Sequence, residues 1–360
     1  MTGGSAAGTA RVSRILVIRR RALGDALVTL PAILRLAEAF PAARIDLIVD
    51  RPFAELMSGL APELTILPWP PPRAERPRWT DRLRAARYDL VFDYLGSPRT
   101  ALWTALTGAP LRVGYDLRGR AWAYNVRVPR NRDGTTPLAA FAGEAFLDPL
   151  RAIGLAPAPW RAVGAVAGRG APGAPFTVWA AAWVGRSGPR IGLALGATWP
   201  AKGWPLAQAL DLAARAAAAG AVVLLVPGPG EERLAADFRA AMPGSEVAPP
   251  TTLVELAALL ATLDVLVATD CGARHLAAAL DVPTVTLFGP TDPRGWNPAD
   301  PRHVAARTGE PCSPCDLKFC PIPGHPCMTG LTGSLVWDKV QTLLARPEAR
   351  GVRRREGAGA

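Results

Sequence analysis

The sequence predicts an α/β protein made of two facing, doubly wound domains. Three observations carry this expectation. Short apolar, β-branched runs alternate with stretches of helical apolar spacing in both halves of the chain. A stretch rich in Pro, Gly and Ala without periodicity, residues 156–173, separates the two series and reads as an interdomain linker. The length of 360 residues suits two domains with a core each, at roughly 150 residues per domain. Strands alternating with helices imply parallel sheets covered on both faces.

The elements follow in order. Residues 1–13 contain no apolar signal-peptide core and are expected to be a disordered extension. The first domain spans 14–172, with buried strands at 15–18, 45–49 and 90–92. A helix over 26–40 places Leu27, Leu30, Ile33, Leu34 and Ala37 on one face. The Pro-rich run 68–77 reads as a surface loop, and a helix over 137–154 closes this half. The second domain, 173–345, restarts with a strand at 191–195, a helix near 205–219, a strand at 222–226 and a helix near 231–241. A strand at 265–268, a helical pattern at 276–280 and a strand at 282–288 come next. A last helix near 334–344 precedes a basic tail, 346–360.

Composition excludes several classes. With 49% hydrophobic and 20% charged residues, the chain is not intrinsically disordered. No apolar run reaches the ~18 residues of a membrane span, so a cytoplasmic protein is expected. The net charge of +11 is uneven: residues 1–175 carry 24 Arg and no Lys against 14 acidic residues. Nucleic-acid binding would explain a basic half, but no zinc-finger spacing, RNA-binding aromatic signature or basic zipper accompanies it, and no nucleic-acid partner is expected. An anionic acceptor or an anionic membrane surface is one remaining explanation. An Arg-rich composition with no partner behind it is the other.

Segment 264–297 is the most informative. An apolar run ends in Thr269-Asp270-Cys271-Gly272, a helical pattern follows, and a second apolar run ends in Gly289-Pro290-Thr291-Asp292-Pro293. Strand, glycine turn, helix and strand gather backbone N–H groups and Asp270 at the carboxyl edge of a parallel sheet, where ligands of such sheets bind. A helix N-terminus there favours anions. Two ordinary βα turns would read the same. Elsewhere, Gly24-Asp25 follows the first strand, and Asp25 taken alone reads as a helix N-cap. Lys202 lies in a turn between Pro200 and Pro205 and is one of only three lysines against 38 arginines; a solvated loop lysine is the plain alternative.

Four blocks in order resemble glycosyltransferase family 9, the ADP-heptose:lipopolysaccharide heptosyltransferases. They are residues 15–26 with Thr29-Leu30-Pro31-Ala32, residues 89–94 with Arg99, residues 196–205 with 227–232, and residues 264–297. The resemblance spans about residues 14–345. It implies the GT-B arrangement, with the nucleotide sugar mainly on the second domain and the acceptor on the first. It implies an inverting heptosyl transfer from ADP-heptose to an anionic lipopolysaccharide inner-core acceptor, with peripheral contact at the inner membrane. By the same resemblance Asp25 is the base that takes the proton of the acceptor hydroxyl. Lys202 meets the charge developing on the diphosphate, and Thr198 adds a hydroxyl in the same turn. Glu231 is placed for a ribose, or merely to favour a helix dipole. Asp270 accepts from sugar hydroxyls, the amides of Cys271 and Gly272 meet the diphosphate, and His275 follows one turn later. Two residues depart from the family. Cys271 stands where Ser or Thr is usual, and a thiol is the weaker donor. Arg274 replaces a smaller or apolar residue, as a donor contact or as a surface residue. No Asp-x-Asp follows a strand in a donor-site context, so catalysis without a metal or other cofactor is expected. A nucleotide-sugar epimerase of the same architecture and a non-catalytic nucleotide-sugar-binding or basic interaction protein are the alternatives.

Four of the five cysteines form Cys312-x2-Cys315-x4-Cys320-x6-Cys327 in a Pro/Gly-rich loop. Spacing this tight in a reducing compartment suggests a closed structural site for zinc or iron, with His325 as an alternative ligand and reduced free thiols as the other reading. No catalytic candidate lies in the segment, and it is expected to act as a structural clip for the loop.

Overall fold

The computed structural model describes residues 12–58, 60–130, 140–163 and 172–346. They divide into two compact units, the first drawn from residues up to 130 together with 143–161, the second from 140–142 and from 162 onward. Most of the expected extension at 1–13, the tail at 346–360 and part of the 156–173 stretch lie outside the described residues.

The first unit holds β1 (Arg14–Ile18), β2 (Arg44–Asp50), β3 (Leu64–Trp69), β4 (Leu90–Asp93), β5 (Leu111–Tyr115) and β6 (Val126–Val128). All pair in parallel in the order β3-β2-β1-β4-β5-β6. The order reverses between β1 and β4, which makes that edge the switch point of the sheet. Ile15, Leu16, Val17 and Ile18 are fully buried, as a central parallel strand covered on both faces requires. The helix Leu23–Ala39 starts earlier than the apolar pattern indicates, so Gly24 and Asp25 lie in its first turn. Two expectations are corrected. Pro68 is not in a loop but in β3, an edge strand where a missing N–H is tolerated, and a 3-10 turn follows at Arg73–Arg78. The long helix expected over 137–154 is, in its described part, two short turns, Ala142–Ala145 and Asp148–Arg151. Pro149 lacks the N–H that a continuous helix would need.

The second unit holds β7 (Arg190–Ala194), β8 (Val222–Leu225), β9 (Glu246–Val247), β10 (Val265–Thr269), β11 (Thr284–Leu287) and β12 (His303–Ala306). Their order is β12-β11-β10-β7-β8-β9, again all parallel. Ala194 pairs with Ala268, so the carboxyl ends of β7 and β10 are level at the switch point. The helix Gly333–Leu344 buries Val336, Val340 and Leu343 in a core shared with Leu212 and Ala216 of the helix Leu206–Ala218. The helices Ala174–Val184 and Leu253–Leu260 and the strands β9 and β12 were not evident from apolar spacing. Among the described residues no helix is long and apolar enough to cross a membrane.

Candidate active site

In the first unit the switch point carries Asp25. The N-cap of the Leu23–Ala39 helix is Ala22, not Asp25, which corrects the capping reading. Asp25 occupies the third helical position, where its Oδ2 accepts from the Ala22 N–H at 3.2 Å. Its Oδ1 pairs with Arg19 Nη2 at 2.5 Å. Arg19 ends the apolar run of β1, is almost fully buried, donates from Nη1 to the Tyr94 carbonyl at 2.6 Å and lies over the Phe146 ring at 4.8 Å. Burial works against its charge and the Asp25 carboxylate supports it. Asp25 keeps a partly exposed carboxylate, 27% of the side chain, so one cation orients it without closing it off. Sequence reasoning missed Arg19; the available signal was that it is the first of three consecutive arginines directly after a buried strand.

Asp93, in the second of the four blocks, is a turn anchor. It accepts from the N–H groups of Leu95 and Gly96 and from the Tyr124 hydroxyl, and burial pushes its carboxyl up. Nearby, Arg20 and Arg99 lie over Trp69 at 5.3 and 5.7 Å, and Trp69 packs against Trp79 and Trp103.

In the second unit the level ends of β7 and β10 bring Lys202 and Asp270 together across 68 residues of sequence. Lys202 Nζ lies 2.7 Å from Asp270 Oδ2, with 14% of the lysine side chain exposed and its ammonium 4.7 Å from the Trp199 ring centroid. The solvated-loop reading of Lys202 is therefore corrected. Thr291, from the Gly289–Pro293 turn, donates to the same Oδ2 at 3.0 Å. Arg274 Nη2 donates to Oδ1 at 2.8 Å. Arg274 has no exposed side-chain surface, so its surface reading is also corrected. Burial pushes the Asp270 carboxyl up, but the charges of Arg274 and Lys202 overcome this and hold it below the usual carboxylate range. Both of its oxygens are thus occupied by protein donors.

The remaining candidates surround this pair unevenly. Cys271 is the N-cap and Gly272 the first residue of the helix Gly272–Ala279, whose N–H groups open at the edge of the sheet. Burial pushes the Cys271 thiol up, so it stays protonated. His275 is buried and its imidazole is held neutral by burial and by Arg274. Thr198 is exposed in the turn after β7. Glu231 caps its own loop, its Oε2 accepting from the Gly228 N–H at 2.8 Å. A Cβ at Gly196 would lie only 1.3 Å from Glu231 Oε1, so glycine is required for that carboxylate to reach the edge. Thr269 Oγ1 donates to the Gly196 carbonyl at 2.6 Å and fastens the two turns to each other.

The cysteine loop leaves the expectation of a structural metal unsupported. Cys312, Cys315, Cys320 and Cys327 line one small apolar cavity with His325, Leu317 and Ile322. All four are free thiols. Among the described residues no group of three or more His, Cys, Asp or Glu is found that could hold a metal ion, so the expected zinc or iron has no support there. The loop is tied to the candidate site by backbone hydrogen bonds. The Ala201 N–H donates to the Lys318 carbonyl at 3.0 Å, beside Lys202. Cys315 and Asp316 N–H both donate to the Pro290 carbonyl, beside Thr291.

Two parallel, doubly wound sheets in one chain, each with polar side chains gathered at its switch point, are the architecture of the GT-B fold. Residues 76–325 match the model of Glycosyltransferase family 9 (heptosyltransferase). Lipopolysaccharide heptosyltransferase 1 of Pseudomonas aeruginosa is 31% identical over 339 residues, 85% of this chain and 87% of that protein. Lipopolysaccharide heptosyltransferase 1 of Escherichia coli K12 is 27% identical, covering 78% of this chain and 89% of its own length. Among solved structures, E. coli ADP-heptose lps heptosyltransferase II aligns over 93% of this chain and 99% of its own with a TM-score of 0.71 at 24% identity. A family 9 glycosyltransferase from Veillonella parvula aligns over 92% and 97%, with a TM-score of 0.74 at 19% identity. The chain belongs to glycosyltransferase family 9.

Proposed function

We propose that this protein transfers a heptose from ADP-heptose to an inner-core lipopolysaccharide acceptor, with inversion at the anomeric carbon and without a catalytic metal. The names of the full-length relatives support the donor and the acceptor class. Asp25 takes the proton of the attacking hydroxyl, a role that its partly exposed, Arg19-oriented carboxylate suits. Lys202 and the N–H groups of Cys271 and Gly272 meet the diphosphate, supplying positive charge where negative charge develops. Thr198, Glu231 and His275 complete the nucleotide-sugar contacts. Asp270 holds this edge together rather than accepting freely from sugar hydroxyls, because its oxygens already have partners. The observation that carries the reading is Lys202, a rare lysine whose ammonium is held at the switch point by a carboxylate that a diphosphate can displace.

The basic first half supports approach to an anionic acceptor, with Arg20 and Arg99 on the Trp69 face as candidate contacts and peripheral membrane contact as a corollary. The test is to incubate the protein with ADP-heptose, with and without a truncated lipopolysaccharide acceptor, following ADP release and the mass of the acceptor. Acceptor-dependent ADP release with one added heptose is expected, with a rate that falls as salt rises, since screening shortens the Debye length from ~30 Å at 0.01 M to ~8 Å at 0.15 M. Interconversion of the nucleotide sugar without acceptor would favour an epimerase. Binding with neither reaction would favour a non-catalytic protein.

A further inference from the structure

The position of Arg274 has a chemical consequence at both of its terminal nitrogens. A guanidinium donates and cannot accept. Its Nη2 lies 2.8 Å from Asp270 Oδ1 and 3.0 Å from His275 Nε2, so Nε2 must be the acceptor of that contact. The proton of the neutral ring then sits on Nδ1, and Nδ1 is a buried atom with no hydrogen-bond partner among the described residues. Nη1 is spent on the Trp296 carbonyl at 3.1 Å, which pins the guanidinium from a third side. The side chain has no exposed surface and is held by three partners.

Lys202 differs on every count. It reaches the same carboxylate through the other oxygen, from a turn on the neighbouring strand, on a flexible stem with 14% of its side chain exposed. Asp270 thus has one fixed cation and one movable one. A buried carboxylate stripped of its only cation is strongly destabilised, which would lock a lone lysine in place. A second, immovable cation removes that obstacle.

We propose that Arg274 is a positioning residue of the donor site: it is the permanent counter-ion of Asp270, which frees Lys202 to move to a diphosphate, and it fixes His275 as the neutral Nδ1–H tautomer. The inference rests on the donor-site reading above and extends it to a residue outside the family pattern. The charged and titratable groups facing His275 are Asp270 from the end of β10, Lys202 from the turn after β7 and Arg274 on its own helix. The Trp296 ring meets it edge-on at 6.0 Å. With Arg274 present the ring stays neutral as pH falls through the usual histidine range. Without it, Nε2 is released 3.7 Å from Asp270 Oδ1 and can take a proton that this carboxylate stabilises.

The test uses the full chain and two variants, Arg274→Met and Arg274→Lys. Nitrogen-15 imidazole spectra of the ligand-free protein between pH 5.5 and 8 should show a non-titrating Nδ1–H ring for His275 in the parent. In Arg274→Met the ring should titrate or move its proton to Nε2. Calorimetry with ADP at pH 8 should show binding weakened at least about tenfold in Arg274→Met, the scale of one charge-assisted contact, because Lys202 is retained by Asp270. Arg274→Lys should recover most of that affinity, since a charge alone suffices as counter-ion, but not the tautomer, since an ammonium is too short to hold both partners. An Nε2–H ring in the parent would overturn the tautomer assignment. Parent-like ADP affinity in Arg274→Met, or no recovery in Arg274→Lys, would overturn the counter-ion role. If Arg274→Met does not fold, the Arg274→Lys comparison decides alone. A parent protein that binds no ADP would remove the donor-site reading instead, and the ligand-free spectra would still judge the Arg274–His275 contact.

Discussion

Each unit places an aspartate at the switch point of a six-stranded parallel sheet, and the two aspartates are treated in opposite ways. Asp25 faces one cation, Arg19, and leaves 27% of its side chain exposed. Asp270 faces Lys202, Arg274 and Thr291, and leaves 5% exposed. A partly exposed carboxylate with one cation and one backbone N–H as partners keeps lone pairs that can still accept a proton from a substrate hydroxyl. One held by three side-chain donors, two of them cations, and whose pKa is held down is a poor base and a good anchor. The same residue type at the same topological position is thus left partly open to solvent in one unit and enclosed by cations in the other, and under the proposed function only the first would do chemistry.

The largest expected effect tests the first half of that contrast. Asp25→Asn should lower heptose transfer by ~10²–10⁴-fold, the usual scale of lost general-base assistance, while calorimetry shows ADP binding unchanged. Near-normal turnover with only a lower Tm would reduce Asp25 to a helix-start residue. Asp270→Asn tests the second half. It leaves two cations without their carboxylate, one of them fully buried, and breaking a buried pair costs about 3–5 kcal/mol. Urea unfolding should show a loss on that scale, and unchanged stability would mean that Asp270 is no anchor.

Lys202→Ala should be milder. Removing a charge-assisted contact worth roughly 1.5–3 kcal/mol should lower kcat and weaken donor binding together, because the ammonium meets the diphosphate in ground and transition states alike. Unchanged donor kinetics would show that Lys202 serves only Asp270. The smallest effect concerns the tether that, among the described residues, only the second site has. Cys327→Ser puts a hydroxyl into an apolar cavity next to buried Met328 and should loosen the loop that bonds to Ala201 and Pro290. A several-fold rise in the KM for ADP-heptose, with the acceptor KM unchanged, is expected; equal change in both would place the effect in global stability.

The sequence by itself determined the alternating α/β pattern, the two-series organisation and the polar residues that end the central strands. These features are local: a buried parallel strand must be apolar on both faces, and a strand-to-helix turn must carry small or polar residues. Edge and short elements such as β3, β6, β9 and β12 were illegible because they bury too little to impose a period. Local spacing also misjudged residues whose role depends on partners far along the chain. Arg19 looked like one of three equivalent arginines, yet Tyr94 and Phe146 bury it. Arg274 looked as suited to the surface as to the donor, yet Asp270 and Trp296 close around it. The four cysteines were spaced like metal ligands; what spacing could not show is that they line one cavity and that their loop bonds to the turns carrying Lys202 and Thr291. Only the tertiary structure decided these, because whether a charge is solvated or buried depends on which distant groups the strand order brings beside it.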